Sequence, residues 1–287
     1  MPELPEVETV RRGLAANVVG RRVASVEVGR ERTVRRTSAQ ALIDGLTGLT
    51  ITAWGRRGKY LIGELDSGDR VMIHLRMSGR VLLAPVGSPR PPHTHVVLHL
   101  DARAADDGAG RPAEELWFVD PRTFGEVVVF DPGNLAAELP ELAKLGIDPV
   151  TDGLSRAELT ALLRRDRQLK ALLLDQHVIA GIGNIYCDEL LHLARLRPDR
   201  VASSLTTREI GRLHRAIHET LAEAIEAGGS TLTDTQYVDL EGRGGWVQLH
   251  HRVYDRAGER CLTCHRATIQ RAVMAGRSTC WCPRCQK

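Results

Sequence analysis

The sequence predicts an α+β protein of several domains, with an N-terminal β-sandwich flanked by helices, a helical middle region and a C-terminal zinc-binding module. Three observations support this fold class. Short β-rich runs bounded by turn residues occupy most of the first 130 residues, helical spacing predominates from Ser155 to Ala227, and five of the six cysteines lie beyond residue 260. A chain of 287 residues has room for two or three such domains.

The N-terminal region is predicted to begin with a helix from Glu3 to Val19. Its apolar residues recur at helical spacing on one face, at Val7, Val10, Leu14 and Val18. Eight short runs of β-type composition follow, most of them bounded by Gly, Pro, Asp or Ser: Arg22–Val28, Leu49–Trp54, Lys59–Leu65, Arg70–Leu75, Arg80–Ala84, His95–Asp101, Glu115–Val119 and Glu126–Phe130. Many short strands separated by turn signals indicate a β-sandwich or barrel.

The pattern becomes helical after the Asp-Pro-Gly sequence at 131–133. A helix and linker are predicted over Asn134–Gly146, and four further helices are predicted at Ser155–Arg165, Gln168–Leu174, Asn184–Arg195 and Thr207–Ala227. Two segments lack a clear period. The first, Arg103–Glu114, is predicted to be an exposed hairpin loop. The second, Ser230–Gln248, is predicted to be a functional or mobile loop because of its length.

The composition, with 43% hydrophobic and 26% charged residues, is that of an ordinary soluble globular protein. The net charge is only +3, but residues 249–287 carry eight basic residues against two acidic ones. A basic terminal module indicates an anionic partner such as a nucleic acid. No apolar run is long enough for a membrane span, and the acidic start is unlike a signal peptide. We therefore expect a cytoplasmic protein with no membrane partner.

The strongest local signal is a pair of CxxC sequences near the C-terminus, formed by Cys261, Cys264, Cys282 and Cys285, with 17 residues between the pairs. In a chain without an export signal, such cysteines indicate a metal site and not disulfides. Four thiolates on two hairpin turns are typical of a tetrahedral structural zinc site, which holds together a module too small for its own core. Cys280 and His265 are alternative ligands, placed second because the two pairs are symmetric.

The first six residues also suggest a catalytic nucleophile with an acid/base beside it. If Met1 is removed, as a small second residue normally allows, Pro2 carries a secondary amine with a pKa of about 8, so a usable fraction is unprotonated at neutral pH. Such an amine can attack a sugar C1′ and give an iminium ion, and Glu3 beside it can move protons. The alternative interpretation is ordinary helix-opening chemistry, in which Pro suits the first turn and Glu3 and Glu6 suit the positive end of the helix dipole.

Two cations stand beside glycine, where a turn is expected. Lys59 follows the basic turn Gly-Arg-Arg-Gly, and Arg277 follows Gly276 between the two cysteine pairs. Both suit a place near a phosphate or near a bond that is being broken. For an isolated residue, a solvated charge or a plain phosphate contact is the more common role.

Two other stretches suggest nucleic-acid contacts. The sequence Gly181-Ile-Gly183-Asn184 precedes a predicted helix, and exposed N–H groups at such a turn can bind a phosphate. A plain loop between helices is an equally good interpretation of it. Met77, Arg122 and Phe124 lie near turns and form an apolar, cationic and aromatic set that can fill the gap a displaced base leaves. Each of them alone is more often a core or surface residue.

Taken together, these motifs resemble those of the formamidopyrimidine-DNA glycosylase family, which includes endonuclease VIII. The resemblance covers essentially the whole chain. It rests on seven motifs in order: MPELPEVETVRRGL, GRRGKYL, HLRMSG, DPRTFG, GIGNIYCDE, GGSTLTD and the two CxxC pairs.

The resemblance implies a role for each site residue. Pro2 would be the nucleophile and Glu3 the acid/base that opens the sugar, while Lys59 would assist β-elimination and Arg277 δ-elimination. The residues that match DNA-contacting positions are His93, Arg122, Arg165, Lys170, Asn184, Met77 and Phe124, of which Lys170 and Asn184 match phosphate contacts and Met77, Arg122 and Phe124 match the void-filling set.

The resemblance also implies an architecture and partners. We expect a catalytic β-sandwich domain at 1–132, a linker at 133–154, a helix–two-turn–helix domain with a lesion-binding loop at 155–248, and a zinc finger at 249–287. The expected protein is a monomeric glycosylase and lyase that removes 8-oxoguanine and formamidopyrimidines from duplex DNA and also acts at abasic sites, with one structural Zn²⁺. The alternatives are an endonuclease VIII-type enzyme for oxidised pyrimidines and a non-catalytic zinc-dependent binder of damaged DNA.

The sequence departs from the family pattern at several positions. Arg76 stands where Gly is usual, Thr123 replaces a second Arg, and Cys187 stands where Ala is common. The gap between the CxxC pairs is one residue longer than the commonest spacing, and Cys280 adds a possible ligand. None of these departures affects Pro2, Glu3, Lys59 or Arg277.

Overall fold

The computed structural model describes residues 1–102, 110, 112–231, 237–247 and 251–287. Most of the hairpin loop predicted at 103–114 lies outside these residues, as do parts of the loop predicted at 230–248. The chain forms two compact units. The first contains 1–144 and 228–245, and the second contains 145–227 and 246–287.

The first unit begins with helix α1 and is built mainly of strands. Its helices are α1 (Leu4–Asn17), α2 (Ala39–Leu46), α3 (Leu135–Glu138) and α4 (Pro140–Ala143). Its strands are β1 (Arg21–Val28), β2 (Thr50–Arg57), β3 (Tyr60–Leu65), β4 (Arg70–His74), β5 (Arg80–Pro85), β6 (Thr94–Leu100), β7 (Glu114–Val119) and β8 (Glu126–Phe130). All eight predicted strands are therefore present. Helix α2, which was not predicted, begins after Ser38, whose side chain accepts a hydrogen bond from the Ala41 N–H at 3.0 Å.

The strands form two antiparallel sheets, which fits the predicted sandwich, and β1 belongs to both of them. One sheet has the order β5-β7-β6-β1 and the other β1-β2-β3-β4-β8. Val23–Val28 pair with β6, whereas Arg21 and Arg22 pair with β2, so β1 passes from one sheet to the other within a few residues. Apolar residues of α1, α2 and the sheets form one core, which includes Val7, Leu14, Leu46, Leu61 and Phe118.

The second unit is helical with a short β-hairpin. It contains α5 (Arg156–Leu162), α6 (Leu169–Leu173), α7 (Asn184–Ala194), α8 (Thr207–Glu226), β9 (Gln270–Met274) and β10 (Arg277–Trp281). Helix α8 begins with a capping box between Thr206 and Glu209 and buries a stripe of apolar residues at helical spacing: Ile210, Leu213, Ile217 and Leu221.

Helix α7 connects the helical part to the C-terminal segment. The carboxylate of Glu189 accepts hydrogen bonds from the backbone N–H groups of Arg252, Val253 and Tyr254 at 2.8–2.9 Å. The Gln286 amide donates to the Leu196 carbonyl at 2.8 Å. These buried bonds fix the start and end of the finger segment against α7. Among the residues described, the longest helices are too short or too polar to cross a bilayer.

Candidate active site and metal centre

Pro2 and Glu3 are buried at the start of α1. The Glu3 N–H donates to Glu6 Oε2 at 2.8 Å, and the other oxygen, Glu6 Oε1, accepts the Ser230 N–H at 2.7 Å. Glu6 therefore holds the backbone at residue 3 and the segment that follows α8 at the same time. Pro2 directly precedes Glu3, so the Glu6 carboxylate also helps to fix the position of Pro2.

The segment 228–231 approaches the N-terminus so closely that glycine is required there. Gly229 has φ +78°, and a Cβ at this position would lie 2.8 Å from Glu6 Oε1. The Tyr237 hydroxyl donates to the Gly228 carbonyl at 3.0 Å, and burial, with the nearby Glu6 charge, raises the pKa of Tyr237. The hydroxyl therefore stays protonated and remains a donor across the physiological pH range.

Lys59 lies in the two-residue turn between β2 and β3, yet it is buried. Arg56 holds this turn, because its guanidinium donates to the Gly58 carbonyl at 2.8 Å and to Glu8 Oε2 at 3.2 Å. Burial of Glu8 opposes its ionisation, but the hydrogen bonds and charges of Arg11 and Arg56 outweigh burial and lower its pKa. The ionised Glu8 of α1 thus connects the Lys59 turn to the helix that begins after Pro2 and Glu3.

Two neighbouring loops carry the predicted void-filling residues. Met77 lies between β4 and β5, and Arg122 and Phe124 lie between β7 and β8. The buried Asp120 joins the loops: its Oδ1 accepts the Ser78 hydroxyl and the Arg122 N–H, and its Oδ2 accepts the Gly125 N–H at 2.7 Å. The structure therefore brings these three residues onto one surface of the first unit.

The apolar members of this set are exposed. Met77 is 38% and Phe124 39% exposed, and the Arg122 guanidinium lies 5.1 Å from the centre of the Phe124 ring. Each apolar residue directly follows a residue with left-handed backbone, Arg76 at φ +52° and Thr123 at φ +55°. This conformation costs a non-glycine residue about 1–2 kcal/mol, so other contacts must hold both turns.

His74, at the end of β4, is one such contact. Its Nδ1 accepts the Arg76 N–H at 2.9 Å, and its ring lies edge-on to Tyr60 at 4.3 Å. Burial, with the charges of Arg76 and Lys59, lowers the pKa of His74 well below its usual value. The ring therefore stays neutral, as its acceptor role requires.

This depressed pKa predicts a pH dependence of stability. Below pH ~6.5 the unfolded chain binds a proton at His74 and the folded chain does not, so stability falls as pH falls, by up to about 1.4 kcal/mol at pH ~5.5. We expect His74→Asn, whose amide oxygen replaces Nδ1 as acceptor, to reduce this dependence. Urea unfolding at pH ~8 and pH ~5.5 measures it, with the exposed His177→Asn as control. An unchanged dependence in His74→Asn would contradict a neutral His74.

In the second unit, Lys170 and Asn184 converge on one backbone oxygen. Lys170 Nζ lies 3.3 Å and Asn184 Nδ2 2.9 Å from the Ser278 carbonyl oxygen. Lys170 also pairs with Asp188 at 2.6 Å, and both side chains are fully buried. Burial raises the pKa of Asp188 to about 6, although the Lys170 charge opposes this shift. The phosphate-contact role of Lys170 and Asn184 stays a prediction.

Arg277 and the two remaining residues predicted to contact the DNA backbone are exposed, each on the unit to which it belongs. Arg165 lies between α5 and α6, His93 precedes β6, and Arg277 is the first residue of β10. The turn before Arg277 has left-handed backbone at both Ala275 and Gly276, as tight hairpin turns require. Arg277 thus stands at the tip of a two-stranded hairpin.

The four cysteines predicted as ligands converge in the second unit. The sulfurs of Cys261, Cys264, Cys282 and Cys285 all lie within 4.8 Å of one another, and two of the sulfur pairs are 3.8 Å apart. A tetrahedral zinc site with Zn–S bonds of about 2.3 Å has S···S distances of roughly 3.8 Å. The four cysteines therefore fit one structural Zn²⁺.

The two alternative ligands lie outside this cluster. Cys280 is in β10 opposite Arg271, its N–H donates to Asp188 Oδ2 at 2.8 Å, and its side chain packs in the finger core. His265 is exposed after the first CxxC pair. The symmetric pairing is thus the one that the structure assembles.

Comparisons with known proteins show to which family the chain belongs. Residues 1–127 match the formamidopyrimidine-DNA glycosylase N-terminal domain, 145–236 match the formamidopyrimidine-DNA glycosylase H2TH domain, and 258–287 match the zinc finger found in FPG and IleRS. The chain belongs to the formamidopyrimidine-DNA glycosylase family. The H2TH match also identifies the helical middle region as the expected helix–two-turn–helix domain.

Individual members of the family are similar to this chain over nearly its full length. The chain is 45% identical to the formamidopyrimidine-DNA glycosylase of Salinispora arenicola, with 100% of this chain and 96% of the relative covered. A structure of the Lactococcus lactis Fpg with DNA containing an abasic site superposes with a TM-score of 0.86 at 36% identity, covering 99% of each chain. Another, of the same protein with DNA containing Fapy-dG, gives 0.85 at 36% identity and covers 99% of this chain and 100% of the other.

Several residues that organise the site were not among those predicted for it. Asp120 and Ser78 join the two loops of the first unit, Glu126 pairs with arginines beside them, and Asp188 and Glu189 hold the C-terminal segment against α7. The signal available in the sequence was weak. Asp120 and Ser78 lie inside motifs of the resemblance, and Asp188-Glu189 is an acidic pair in an otherwise apolar predicted helix.

Proposed function

We propose that this chain is a bifunctional DNA glycosylase and AP lyase that excises oxidised purines, chiefly 8-oxoguanine and formamidopyrimidines, from duplex DNA. Membership of the family makes it a DNA glycosylase of base excision repair. The observation that carries the glycosylase and lyase chemistry is the N-terminal pair, in which Pro2 and Glu3 are buried at the start of α1 and Glu6 accepts the Glu3 N–H. The choice of purines is supported by the Gly-Gly-Ser-Thr-Leu-Thr-Asp motif at 228–234 and by relatives named formamidopyrimidine-DNA glycosylase.

The reaction begins at the Pro2 nitrogen, once Met1 has been removed. The nitrogen lone pair forms a bond to C1′ of the damaged nucleotide, and the base leaves with the electrons of the glycosidic bond. The nitrogen then gives its proton to the departing base, and its lone pair forms the C=N bond as the C1′–O4′ bond breaks. Protonated Glu3 gives its proton to O4′, so the product is the ring-opened iminium ion at C1′. Because a base within a duplex shields C1′, the nucleotide must first be displaced from the stack.

Strand cleavage follows from the iminium ion. Its positive charge acidifies the C2′ proton, so loss of this proton expels the 3′-phosphate, and a second elimination expels the 5′-phosphate. A cation beside each leaving phosphate stabilises the departing charge, and we assign Lys59 to the first elimination and Arg277 to the second. The product is a one-nucleotide gap with phosphate at both ends.

DNA binding is assigned to the remaining predicted residues. We assign His93, Arg165 and Asn184 to contacts with the DNA phosphate backbone, and Met77, Arg122 and Phe124 to the space left by the displaced nucleotide. Lys170, predicted with the backbone contacts, is fully buried against Asp188 and reaches a phosphate only if that ion pair opens. The zinc, when bound by its four cysteines, supplies no chemistry and folds the finger that presents Arg277. We propose that the enzyme acts as a monomer on chromosomal DNA in the cytoplasm.

Borohydride trapping tests the proposal, because borohydride reduces the iminium ion to a stable protein–DNA crosslink. We expect strong crosslinking to a duplex with 8-oxoguanine opposite cytosine and little to an undamaged duplex of the same sequence. Crosslinking only to a thymine-glycol duplex would assign the chain to the endonuclease VIII branch. Tight binding without any crosslink would leave a non-catalytic binder of damaged DNA.

A further inference from the structure

Glu126, the first residue of β8, lies at the centre of a cluster of arginines. Its Oε1 accepts hydrogen bonds from Arg76 Nη2 at 2.9 Å and from Arg35, and its Oε2 accepts one from Arg36 Nε at 2.6 Å. The carboxylate is only 2% exposed. Burial opposes its ionisation, but the hydrogen bonds from Arg36 and Arg76 and the charges of Arg36 and Arg35 lower its pKa. Glu126 is therefore a charged group that neutralises several cations.

The partners of Glu126 connect it to both loops of the void-filling set. Arg76 immediately precedes Met77. Arg35 donates to the Phe124 carbonyl at 3.2 Å and to the Gly125 carbonyl at 3.5 Å. One carboxylate thus holds the loop of Met77 through a side chain and the loop of Phe124 through a second arginine.

The backbone shows why Arg76 needs this partner. Its φ of +52° is one that glycine adopts freely and arginine does not. Here the strained residue is held from two directions, by the His74 ring at its N–H and by Glu126 at its guanidinium. In this chain, the ion pair and the hydrogen bond from the Arg76 N–H to His74 hold arginine in a backbone conformation that glycine would adopt without such contacts.

We propose that Glu126 and Arg76 are positioning residues, which hold Met77 and Phe124 side by side so that both enter the duplex together. The proposal rests on the function proposed above. It predicts that losing the ion pair impairs displacement of the damaged nucleotide, while the Pro2 chemistry at an already accessible abasic site is unaffected.

The experiment compares Glu126→Gln and Arg76→Ala with the matched control Arg70→Ala in the full-length, zinc-loaded protein. Arg70 pairs with Glu64 at 3.2 Å and is 40% exposed, close to the 36% of Arg76, but it lies at the other end of β4. The first readout is the fluorescence of 2-aminopurine opposite a tetrahydrofuran abasic analogue, which rises when the base is unstacked. The others are single-turnover excision of 8-oxoguanine from a duplex and borohydride trapping on single-stranded abasic DNA.

We expect both variants to reduce the 2-aminopurine signal and to slow duplex excision by about tenfold, the effect of one lost charge-assisted hydrogen bond. Trapping on single-stranded abasic DNA should equal that of the wild type, and Arg70→Ala should match the wild type throughout. Arg76→Gly should retain more of the signal than Arg76→Ala, because glycine adopts the left-handed backbone at residue 76 without strain.

Three outcomes would overturn the proposal: unchanged 2-aminopurine signals in both variants, an equal loss in Arg70→Ala, or a signal in Arg76→Gly no higher than that in Arg76→Ala. A parallel loss of single-stranded trapping would do the same, since it would reveal general damage to the fold. Failure of the wild type to trap any abasic DNA would instead refute the lyase function. In that case the 2-aminopurine fluorescence would still show whether the ion pair positions the loops of Met77 and Phe124.

Discussion

Replacing Pro2 with glycine is expected to reduce borohydride trapping on duplex 8-oxoguanine DNA by about 10²-fold or more. Proline gives an iminium ion that carries its charge without a protonation step, and its ring fixes the nitrogen in one orientation. Glycine has a primary amine on a freely rotating chain end, so both advantages are lost. The measurement is the crosslinked fraction against time, with binding to a tetrahydrofuran-containing duplex measured in parallel.

The matched control is Pro5→Ala, which alters the first turn of the same helix without touching the terminal amine. We expect it to crosslink at close to the wild-type rate, and we expect both variants to bind the tetrahydrofuran duplex as the wild type does. If Pro2→Gly crosslinks as fast as the wild type, the secondary amine and ring of proline are not needed, and the nucleophile is either the new terminal amine or another amine. The buried Lys59 would then be the first to test, by Lys59→Met.

The strands show how much of the fold can be predicted from the local sequence pattern. All eight strands of the sandwich were predicted from short β-rich runs between turn residues, with ends within about three residues of those observed. The exchange of β1 between two sheets was not predicted, because it depends on pairing between Val23–Val28 and a strand some 70 residues away. Local pattern carries no information on that register.

The unpredicted elements are short or depend on tertiary contacts. Helix α2 spans only Ala39–Leu46, less than the length at which helical periodicity becomes distinct, although Ser38 was an available capping signal. Strands β9 and β10 have no apolar alternation, and the finger core that supports them is made largely of cysteines. Their sequence therefore resembles a loop until the cysteines are brought together.

The candidate site also contains residues that the sequence predicts and supporting residues that it does not. Residue type and spacing sufficed to nominate the four cysteines, which the structure brings together. Pro2 and Glu3 also fitted ordinary helix-opening chemistry, and only the motifs along the whole chain favoured a catalytic role for them. The groups that hold them were not visible. Lys170 reads as a surface cation in the sequence, yet it is buried against Asp188, 18 residues along the chain. A buried ion pair is a property of packing, and a single sequence does not specify which distant partner a charge will meet.

Replacing Cys264 with serine is expected to release the zinc and to weaken binding to a tetrahydrofuran-containing duplex by at least about tenfold, or ~1.4 kcal/mol. The finger has a small core, made mainly of Val253, Ile269 and cysteines, so metal binding supplies most of its folding free energy. Without it, the basic residues of the tail lose their fixed arrangement, and the dependence of DNA binding on salt should become shallower. Zinc content by elemental analysis and a salt titration of affinity measure both effects.

Cys280→Ala is the informative control, because Cys280 is a cysteine of the same module that the structure keeps out of the four-sulfur cluster. We expect it to retain one zinc per chain and to bind DNA nearly as the wild type does, since its contact with Asp188 is made by the backbone N–H. Loss of zinc in Cys280→Ala would show that the ligand set has been assigned wrongly. Full zinc content in Cys264→Ser would show the same. Zinc loss in Cys264→Ser without weaker DNA binding would instead show that the finger is dispensable for affinity, and Arg277 would then need another means of reaching its phosphate.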